Sequence, residues 1–201
     1  MRGENRPTTR LMFCGRTPAC QAACTSSNAR AVLEWAFARR RRVLFFPDQH
    51  LGRNTAFAMG VPLEQMAEWE YRVQDLARVN ERAYRPETRI VLWRGFCSVH
   101  TKFNKAQIDE VRAADPHVKV LVHPETPFEV VRNADLVGST EYIIEQVRRA
   151  PAGTHWAIGT EIHLVHRLAL EHPEQRIHSL QRNVCPCATM NRIDPAHLLW
   201  A

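Results

Sequence analysis

The sequence has no long apolar segment. Its uncharged apolar runs, such as residues 43–47 (VLFFP), are far shorter than the ~20 residues that a membrane-spanning helix needs. Residues 1–10 are polar and lack the apolar stretch of a secretory leader. We therefore expect a cytoplasmic protein without a membrane partner.

Lysine is also scarce, with only Lys102, Lys105 and Lys119, so arginine carries most of the formal charge of +6. The densest basic run, residues 39–42, ends a predicted helix, where cations interact favourably with the helix dipole. A nucleic-acid surface needs clustered basic residues with interleaved aromatic side chains. We expect no nucleic-acid partner, and the alternative of DNA binding through arginines would require salt-sensitive binding.

The sequence lacks the dense, evenly paired cysteine framework of a small secreted domain. In a cytosolic chain, cysteines outside such a framework are more often metal ligands or catalytic thiols. The six cysteines are Cys14, Cys20, Cys24, Cys97, Cys185 and Cys187.

Apolar and helical patterns alternate along the chain from residue 24 onward. The predicted helices cover residues 29–40, 66–81, 105–114, 127–133, 141–149 and 162–172. The predicted strands cover residues 43–46, 89–93, 118–122, 136–137 and 155–158. Such alternation is typical of an α/β fold with parallel sheets.

The two halves of the chain share the same layout. In each half a Ser/Thr cluster opens a helix, at residues 25–28 and again at residues 138–141. We predict two related αβα domains, residues 1–101 and 102–201, with residues 1–20 irregular. The 201 residues, 45% hydrophobic and 24% charged, are in the normal range for globular domains.

Several polar clusters follow predicted strands or open predicted helices, where α/β proteins bind ligands. Ser26 and Thr140 open helices, so each either binds a phosphate or carboxylate or simply caps its helix. His123, Pro124 and Glu125 follow a strand directly. A histidine and a carboxylate there can bind a polar substrate and exchange protons with it.

Two cysteine segments are candidates for metal binding. Cys97 lies in residues 93–100 (WRGFCSVH) after a strand, and Cys185 and Cys187 flank a proline. The C-x2-C spacing of a zinc ribbon is absent. Iron–sulfur clusters use cysteine thiolates, and a cluster with three protein thiolates keeps one iron position open.

The ordered set of these motifs resembles the quinolinate synthase family from about residue 13 onward. The matching segments are residues 24–29 (CTSSNA), 47–52 (PDQHLG), 93–100 (WRGFCSVH), 123–125 (HPE), 134–135 (AD) with 138–140 (GST), 159–161 (GTE) and 185–187 (CPC) with Met190. Each motif alone is weak, and it is their order and spacing that are specific.

The resemblance implies three pseudo-symmetric αβα domains around a cavity that holds a [4Fe-4S] cluster. One cysteine from each domain binds the cluster, and its open iron acts as a Lewis acid. The reaction condenses iminoaspartate with dihydroxyacetone phosphate to quinolinate in de novo NAD biosynthesis. L-aspartate oxidase is the implied partner that supplies the imine.

Carried over to this sequence, the resemblance makes Cys97 and Cys185 cluster ligands and Cys187 an extra thiol. Ser26 and Thr140 resemble residues that bind carboxylate or phosphate. His123 and Glu125 resemble the pair that holds and deprotonates intermediates, with Pro124 between them. At the other matching positions a structural role is at least as well supported as a functional one. These positions are Asp48, His50, Trp93, His100 and Glu161.

The family's first domain, which carries one of the cysteine ligands, has no counterpart in the matched sequence. The sequence also stops inside what the resemblance predicts as the last helix. We therefore expect the 201-residue chain to be inactive alone. One alternative is a zinc-binding structural protein that uses Cys97, His100, Cys185 and Cys187. A second alternative is a non-catalytic α/β protein without a cofactor. Analysis of bound metal and acid-labile sulfide distinguishes the iron–sulfur enzyme from these two alternatives.

Overall fold

The computed structural model describes residues 12–14, 25–70, 85–182 and 186–200. The chain divides into two compact units, Met1–Gly95 and Phe96–Ala201. Their assignment to the second and third domains of the family stays a prediction. Within the described residues, no helix is long and apolar enough to cross a membrane.

The first unit contains a four-stranded parallel sheet in the order β1-β2-β4-β3. Its described elements are β1 (Met12–Cys14), α1 (Ala29–Arg39), β2 (Val43–Phe45), α2 (Gln49–Ala58), a 3-10 turn (Leu63–Gln65), β3 (Met66–Trp69) and β4 (Ile90–Trp93). On one face, Leu33 of α1 packs with Phe45 and Leu92 in a buried apolar core. This helix–strand packing makes the unit an α/β layer structure.

The second unit also has a four-stranded parallel sheet, in the order β6-β5-β7-β8. Its helices are α3 (Lys105–Ala114), α4 (Phe128–Asn133), α5 (Thr140–Arg149), α6 (Ile162–Glu171) and α7 (Pro195–Trp200). Its strands are β5 (Lys119–Val122), β6 (Leu136–Val137), β7 (His155–Gly159) and β8 (Arg176–Ser179), and short 3-10 turns cover His100–Lys102 and Met190–Arg192.

Both faces of the second sheet carry buried apolar cores, as is usual for parallel sheets. Ile108 of α3 packs with Val120 and other residues on one face. Ile143 of α5 packs with Trp156 and other residues on the opposite face. The predicted α/β fold with parallel sheets is thereby confirmed.

The helix predicted over residues 66–81 is wrong at its start, because Met66–Trp69 forms strand β3. Met66 pairs with Ile90 and Ala67 pairs with Val91 in parallel register. Sheet pairing and burial of Ala67 outweigh the local helical pattern there. Residues 71–81 of that prediction lie outside the described part of the chain.

Three elements were not predicted. Strand β1 lies in a segment to which no element was assigned, and β8 and α2 were missed. The signal for α2 was Asp48, whose carboxylate accepts a hydrogen bond from the Leu51 N–H at 2.8 Å. A side chain that caps the first helical turn in this way is a standard start signal.

A buried amide connects three segments of the second unit. The Trp156 indole N–H donates to Gln175 Oε1 at 2.8 Å, and Gln175 Nε2 donates to the Val147 carbonyl at 2.9 Å. Both side chains are buried. Gln175 therefore satisfies one donor from β7 and one carbonyl from the end of α5.

Replacing Gln175 by leucine is expected to lower the free energy of unfolding by about 1–3 kcal/mol, the cost of one buried polar group without a partner. The leucine leaves the buried Trp156 indole N–H unpaired, whereas the Val147 carbonyl keeps its bond from the Ala150 backbone N–H. Urea unfolding checks this. Gln146→Leu, at a partly buried position of α5, is the control, with an expected change of about 0.5 kcal/mol or less. Equal stability of the two variants would contradict the prediction.

Candidate active site

In the second sheet, the direction in which the chain adds strands reverses between β5 and β7. The chain adds β6 on one side of β5 and then returns to add β7 and β8 on the other side. Ligands of open parallel sheets bind at such a switch point, outside the carboxyl ends of the strands. His123 follows β5 directly, and Thr160 follows β7 directly. Both are buried polar residues at this edge.

A short turn carries Cys97 and His100 to the same edge. Val99 and Phe103 are buried in the core of this unit, and their packing fixes the position of the turn. The Cys97 carbonyl accepts hydrogen bonds from the Thr101 backbone N–H at 3.1 Å and from the Thr101 hydroxyl at 3.2 Å. The turn thus fixes both functional side chains by apolar burial and by local hydrogen bonds.

His100 is the centre of the polar cluster. Its Nδ1 lies 3.0 Å from Glu125 Oε2, and its Nε2 lies 3.2 Å from the Thr160 hydroxyl. Its ring stacks on His123 with the centroids 4.4 Å apart and the planes 11° apart. Residues from three separate loops therefore meet at one imidazole.

His123 is held in one protonation state. Its Nδ1 accepts the Glu125 backbone N–H at 3.3 Å, so that nitrogen carries the lone pair. Burial and, after it, the charge on the neighbouring His100 together lower the pKa of His123 to about 4. His123 is therefore a neutral imidazole at pH 7, with its remaining proton on Nε2.

His100 has the opposite character. Burial opposes its charge, but hydrogen bonds to Cys97 and Glu125 outweigh burial and raise the pKa of His100 to about 9. For Cys97 burial raises the pKa, but the hydrogen bond from His100 outweighs it, so that the net pKa of the thiol is lowered. A thiol whose lowered pKa favours the thiolate, an imidazolium and a carboxylate therefore lie side by side.

Cys97, His100 and Glu125 also form the one group of three or more metal-ligating residues found in the described part of the chain. One ligand atom of each lies within 4.8 Å of the others. A thiolate is the form of cysteine that binds metals, so the lowered pKa of Cys97 suits a cluster ligand. Cys97 can therefore serve as one thiolate ligand of a metal or an iron–sulfur group at this edge.

The second cysteine segment approaches the same unit. Cys185 lies outside the described residues, and its role as a ligand stays a prediction. Cys187 is half-buried and packs, like Cys97, against the core around Ile108. Its backbone N–H bonds to the Glu161 carboxylate, which is among the causes of the lowered pKa of Glu161. Glu161 directly follows Thr160, so this segment lies near the end of β7.

A cavity of about 380 Å³ opens beside the cluster. Its walls include His100, Thr140, Thr160, Glu161 and Arg167. Thr140 begins α5 and is exposed, while Ser139 caps that helix by accepting from the Tyr142 N–H at 3.3 Å. Ser139 thus performs the capping, and Thr140 lines the cavity.

The structure brings some predicted site residues together and leaves others apart. Cys97, His123 and Glu125 meet in the cluster, with Pro124 half-buried between the last two, and Thr140 lines the adjoining cavity. Ser26 lies in the first unit, in the turn before α1.

Sequence reasoning did not place His100 at the centre of the site and missed Thr160. Residues 159–161 (GTE), at the end of a strand, were the available signal for Thr160. The bond between His100 and Thr160 spans 60 residues of sequence, so no local pattern encodes it.

The matching residues of the first unit form a strand-end arrangement of their own. Asp48 caps α2, and Trp93 contacts Trp69 edge to face with centroids 5.7 Å apart. The Gly95 carbonyl accepts from the Gln49 N–H at 2.9 Å. A Cβ at Gly95 would overlap the Pro47 carbonyl, so this close backbone approach requires glycine.

The fold and the site define a parallel α/β protein with a cysteine–histidine–glutamate cluster at its strand ends. The chain matches the model of the quinolinate synthetase A protein family over residues 17–201 and belongs to that family. It is 54% identical over 189 residues to quinolinate synthase of Rhodopirellula baltica, covering 94% of this chain and 47% of the relative.

Two further relatives show the same coverage. Quinolinate synthase of Bacillus subtilis is 52% identical over 180 residues, which cover 90% of this chain and 48% of the relative. Quinolinate synthase of Geobacillus kaustophilus is 51% identical over 180 residues with the same two shares. The chain thus spans about half the length of the curated relatives it matches.

Proposed function

We propose that this chain contributes part of a quinolinate synthase active site, in which iminoaspartate and dihydroxyacetone phosphate condense to quinolinate, phosphate and water. The observation that carries the proposal is the cluster of Cys97, His100, His123 and Glu125 at the switch point of the second sheet. Membership of the family supports the same reaction.

Cys97 and Cys185 are the residues that would hold a [4Fe-4S] cluster, whose open iron supplies Lewis-acid chemistry when it is bound. This chain's own contribution begins with the Cys97 thiolate. The hydrogen bond from His100 favours that thiolate, and the apolar core beneath the turn restricts the side chain. Both effects prepare the ligand before any metal arrives.

Glu125 is the residue that we propose exchanges protons with the substrates. Its carboxylate accepts a hydrogen bond from His100 at 3.0 Å and lies 3.9 Å from His123 Nδ1. A positioned carboxylate of this kind removes a proton from a carbon acid or an imine and returns it later. His123, neutral with a proton on Nε2, is suited to donate a hydrogen bond to a substrate oxygen.

Ser26 and Thr140 are proposed to bind the carboxylate or phosphate groups. Thr140 supports this role because its exposed side chain lines the cavity beside His100. Supply of the unstable imine by L-aspartate oxidase and a cytoplasmic location follow from the family and stay predictions.

Zinc binding is the second candidate function, because Cys97, His100 and Glu125 place three zinc-compatible ligand atoms within 4.8 Å of one another. Anaerobic reconstitution with iron and sulfide distinguishes the two functions. Zinc without acid-labile sulfide would support the alternative.

The decisive assay uses two samples reconstituted anaerobically. One is the 201-residue chain alone. The other, which we call the complemented chain, is this chain co-expressed with the part of the Bacillus subtilis relative that it does not match. We expect no quinolinate from the chain alone, since it spans half of its relatives, and quinolinate from the complemented chain.

Each outcome has a definite meaning. Quinolinate from the chain alone would refute the expected inactivity but support the function. A complemented chain that co-purifies, holds about four irons as a [4Fe-4S] cluster requires and still makes no quinolinate would refute the proposed function.

A further inference from the structure

A second histidine cluster lies at the opposite edge of the second sheet. His155 begins β7, roughly 13 Å along that strand from Gly159, where the candidate active site begins. Ala157 pairs with His178 of β8, so His155 and His178 are diagonal neighbours on one face of the sheet. Asp115, directly after α3, contacts His155.

Hydrogen bonds fix the tautomer of both rings. His155 Nδ1 lies 2.5 Å from Asp115 Oδ2, and His178 Nδ1 lies 2.9 Å from the Ser179 carbonyl. A carboxylate beside His155 and a carbonyl beside His178 are acceptors, so each Nδ1 carries a proton and donates it. In the neutral rings, the lone pair of each histidine is therefore on Nε2.

The two Nε2 atoms lie only 2.9 Å apart. Two lone pairs facing each other at that distance repel, so the arrangement is stable only with a positive species between or beside them. The candidates are one extra proton, shared by the rings, or a metal ion bound to both nitrogens.

We propose that His155 Nε2 and His178 Nε2 together bind one divalent first-row transition-metal ion. Metal-binding histidines typically donate their other ring N–H to a carboxylate or a backbone carbonyl, and both acceptors are present here, one on each ring. The outer partners that orient the ligands are thus already in place.

The distance between the two Nε2 atoms also favours some metals over others. With metal–nitrogen bonds of about 2.1 Å, nitrogens 2.9 Å apart subtend about 90° at the metal. That is the angle between neighbouring ligands in square-planar or octahedral sites, which Ni²⁺ and Cu²⁺ prefer, rather than the tetrahedral angle of structural zinc.

Water would supply further ligands, and it can reach His178 from an adjoining cavity. His178 is half-buried and lines a cavity of about 530 Å³ together with His166, Ser179 and Arg182. The site is therefore a two-histidine centre that ties β7 to the neighbouring strand β8.

Nickel titration by calorimetry and equilibrium dialysis tests the proposal on the full chain. The unmutated protein is expected to bind one more equivalent of Ni²⁺ than either His155→Gln or His178→Gln. His172→Gln is the matched control, because His172 also lies beside a carboxylate, with Nδ1 3.3 Å from Glu174. It should bind nickel as the unmutated chain does. Asp115→Asn is expected to weaken binding about 10–100-fold.

A second measurement does not depend on how the variants fold. In the unmutated chain, paramagnetic Ni²⁺ should broaden the imidazole NMR signals of His155 and His178 first. Equal nickel stoichiometry and affinity in all five proteins, or no selective broadening of these two histidines, would overturn the proposal. A proton shared between the two rings would then be the positive species.

Discussion

Replacing Glu125 by glutamine is expected to lower quinolinate formation by the complemented chain by about 10²–10⁴-fold, the usual contribution of a general acid or base. The substitution keeps the size of the side chain and removes its ability to take up a proton. Because Glu125 is only partly buried, with 24% of its side chain exposed, the fold should tolerate the amide. The rate is measured with both substrates in excess.

Glu129→Gln is the matched control for this result. Glu129 is exposed on α4, four residues further along the chain, and its substitution should leave the rate unchanged. A rate for Glu125→Gln within twofold of the unmutated value would remove Glu125 from the proposed chemistry.

The same substitution should change the titration of a neighbour. The hydrogen bond to Glu125 and the charge of its carboxylate both favour protonated His100. In Glu125→Gln the pKa of His100 should therefore fall below its value in the unmutated chain, as followed by NMR of the ring protons. An unchanged His100 pKa would mean that the contact does not persist in solution.

The second large effect is a loss of stability in acid that depends on His123. In the unfolded chain this side chain titrates near its ordinary pKa of 6.5, whereas burial and the charge of His100 lower its pKa to about 4 in the folded chain. Between these two values the unfolded chain takes up a proton that the folded chain does not.

The sign and the pH range follow directly. The contribution of neutral His123 is complete above pH 6.5 and is lost progressively as the pH falls towards about 4, with a total of roughly 3 kcal/mol. The groups that face the ring are the stacked imidazole of His100 and the carboxylate of Glu125. Amide exchange in β5 and β7 of the metal-free chain measures this stability.

His123→Asn is the variant that isolates the effect. Asparagine offers a carbonyl oxygen near the position of Nδ1, which can still accept the Glu125 backbone N–H. We expect this variant to lose most of the dependence between pH 6.5 and 4. If the free energy of unfolding of both proteins falls equally between pH 6.5 and 4, a group other than His123 causes the loss of stability in acid.

Local signals explain which elements the sequence predicted well. Helix α3 was predicted with the observed bounds, and its start carries a reciprocal pair of bonds between Asn104 and Gln107. Strand β5 was predicted within one residue because its apolar run is buried on both faces. Where capping and burial are local, the sequence pattern was sufficient.

Other features depend on partners that are distant in sequence. Strand β8 was missed because its residues 177–179 are only half-buried on an edge strand, so they show no clear apolar pattern. The residues 123–125 were predicted as a site from their place after a strand. The stacking of His123 on His100 arises from two loops that no pattern connects.

The parallel pairing of β5 with β7 has a kinetic consequence. His100 meets Thr160 across 60 residues of sequence, and the two can meet only after the chain has passed through β6, crossed over by α5 and returned as β7. Contacts of such high contact order form slowly, because loop closure comes before any gain from the contact. The NMR signal of the His100 imidazole should therefore be among the last to reach its native chemical shift during refolding. This side chain thus reports when the second sheet is complete.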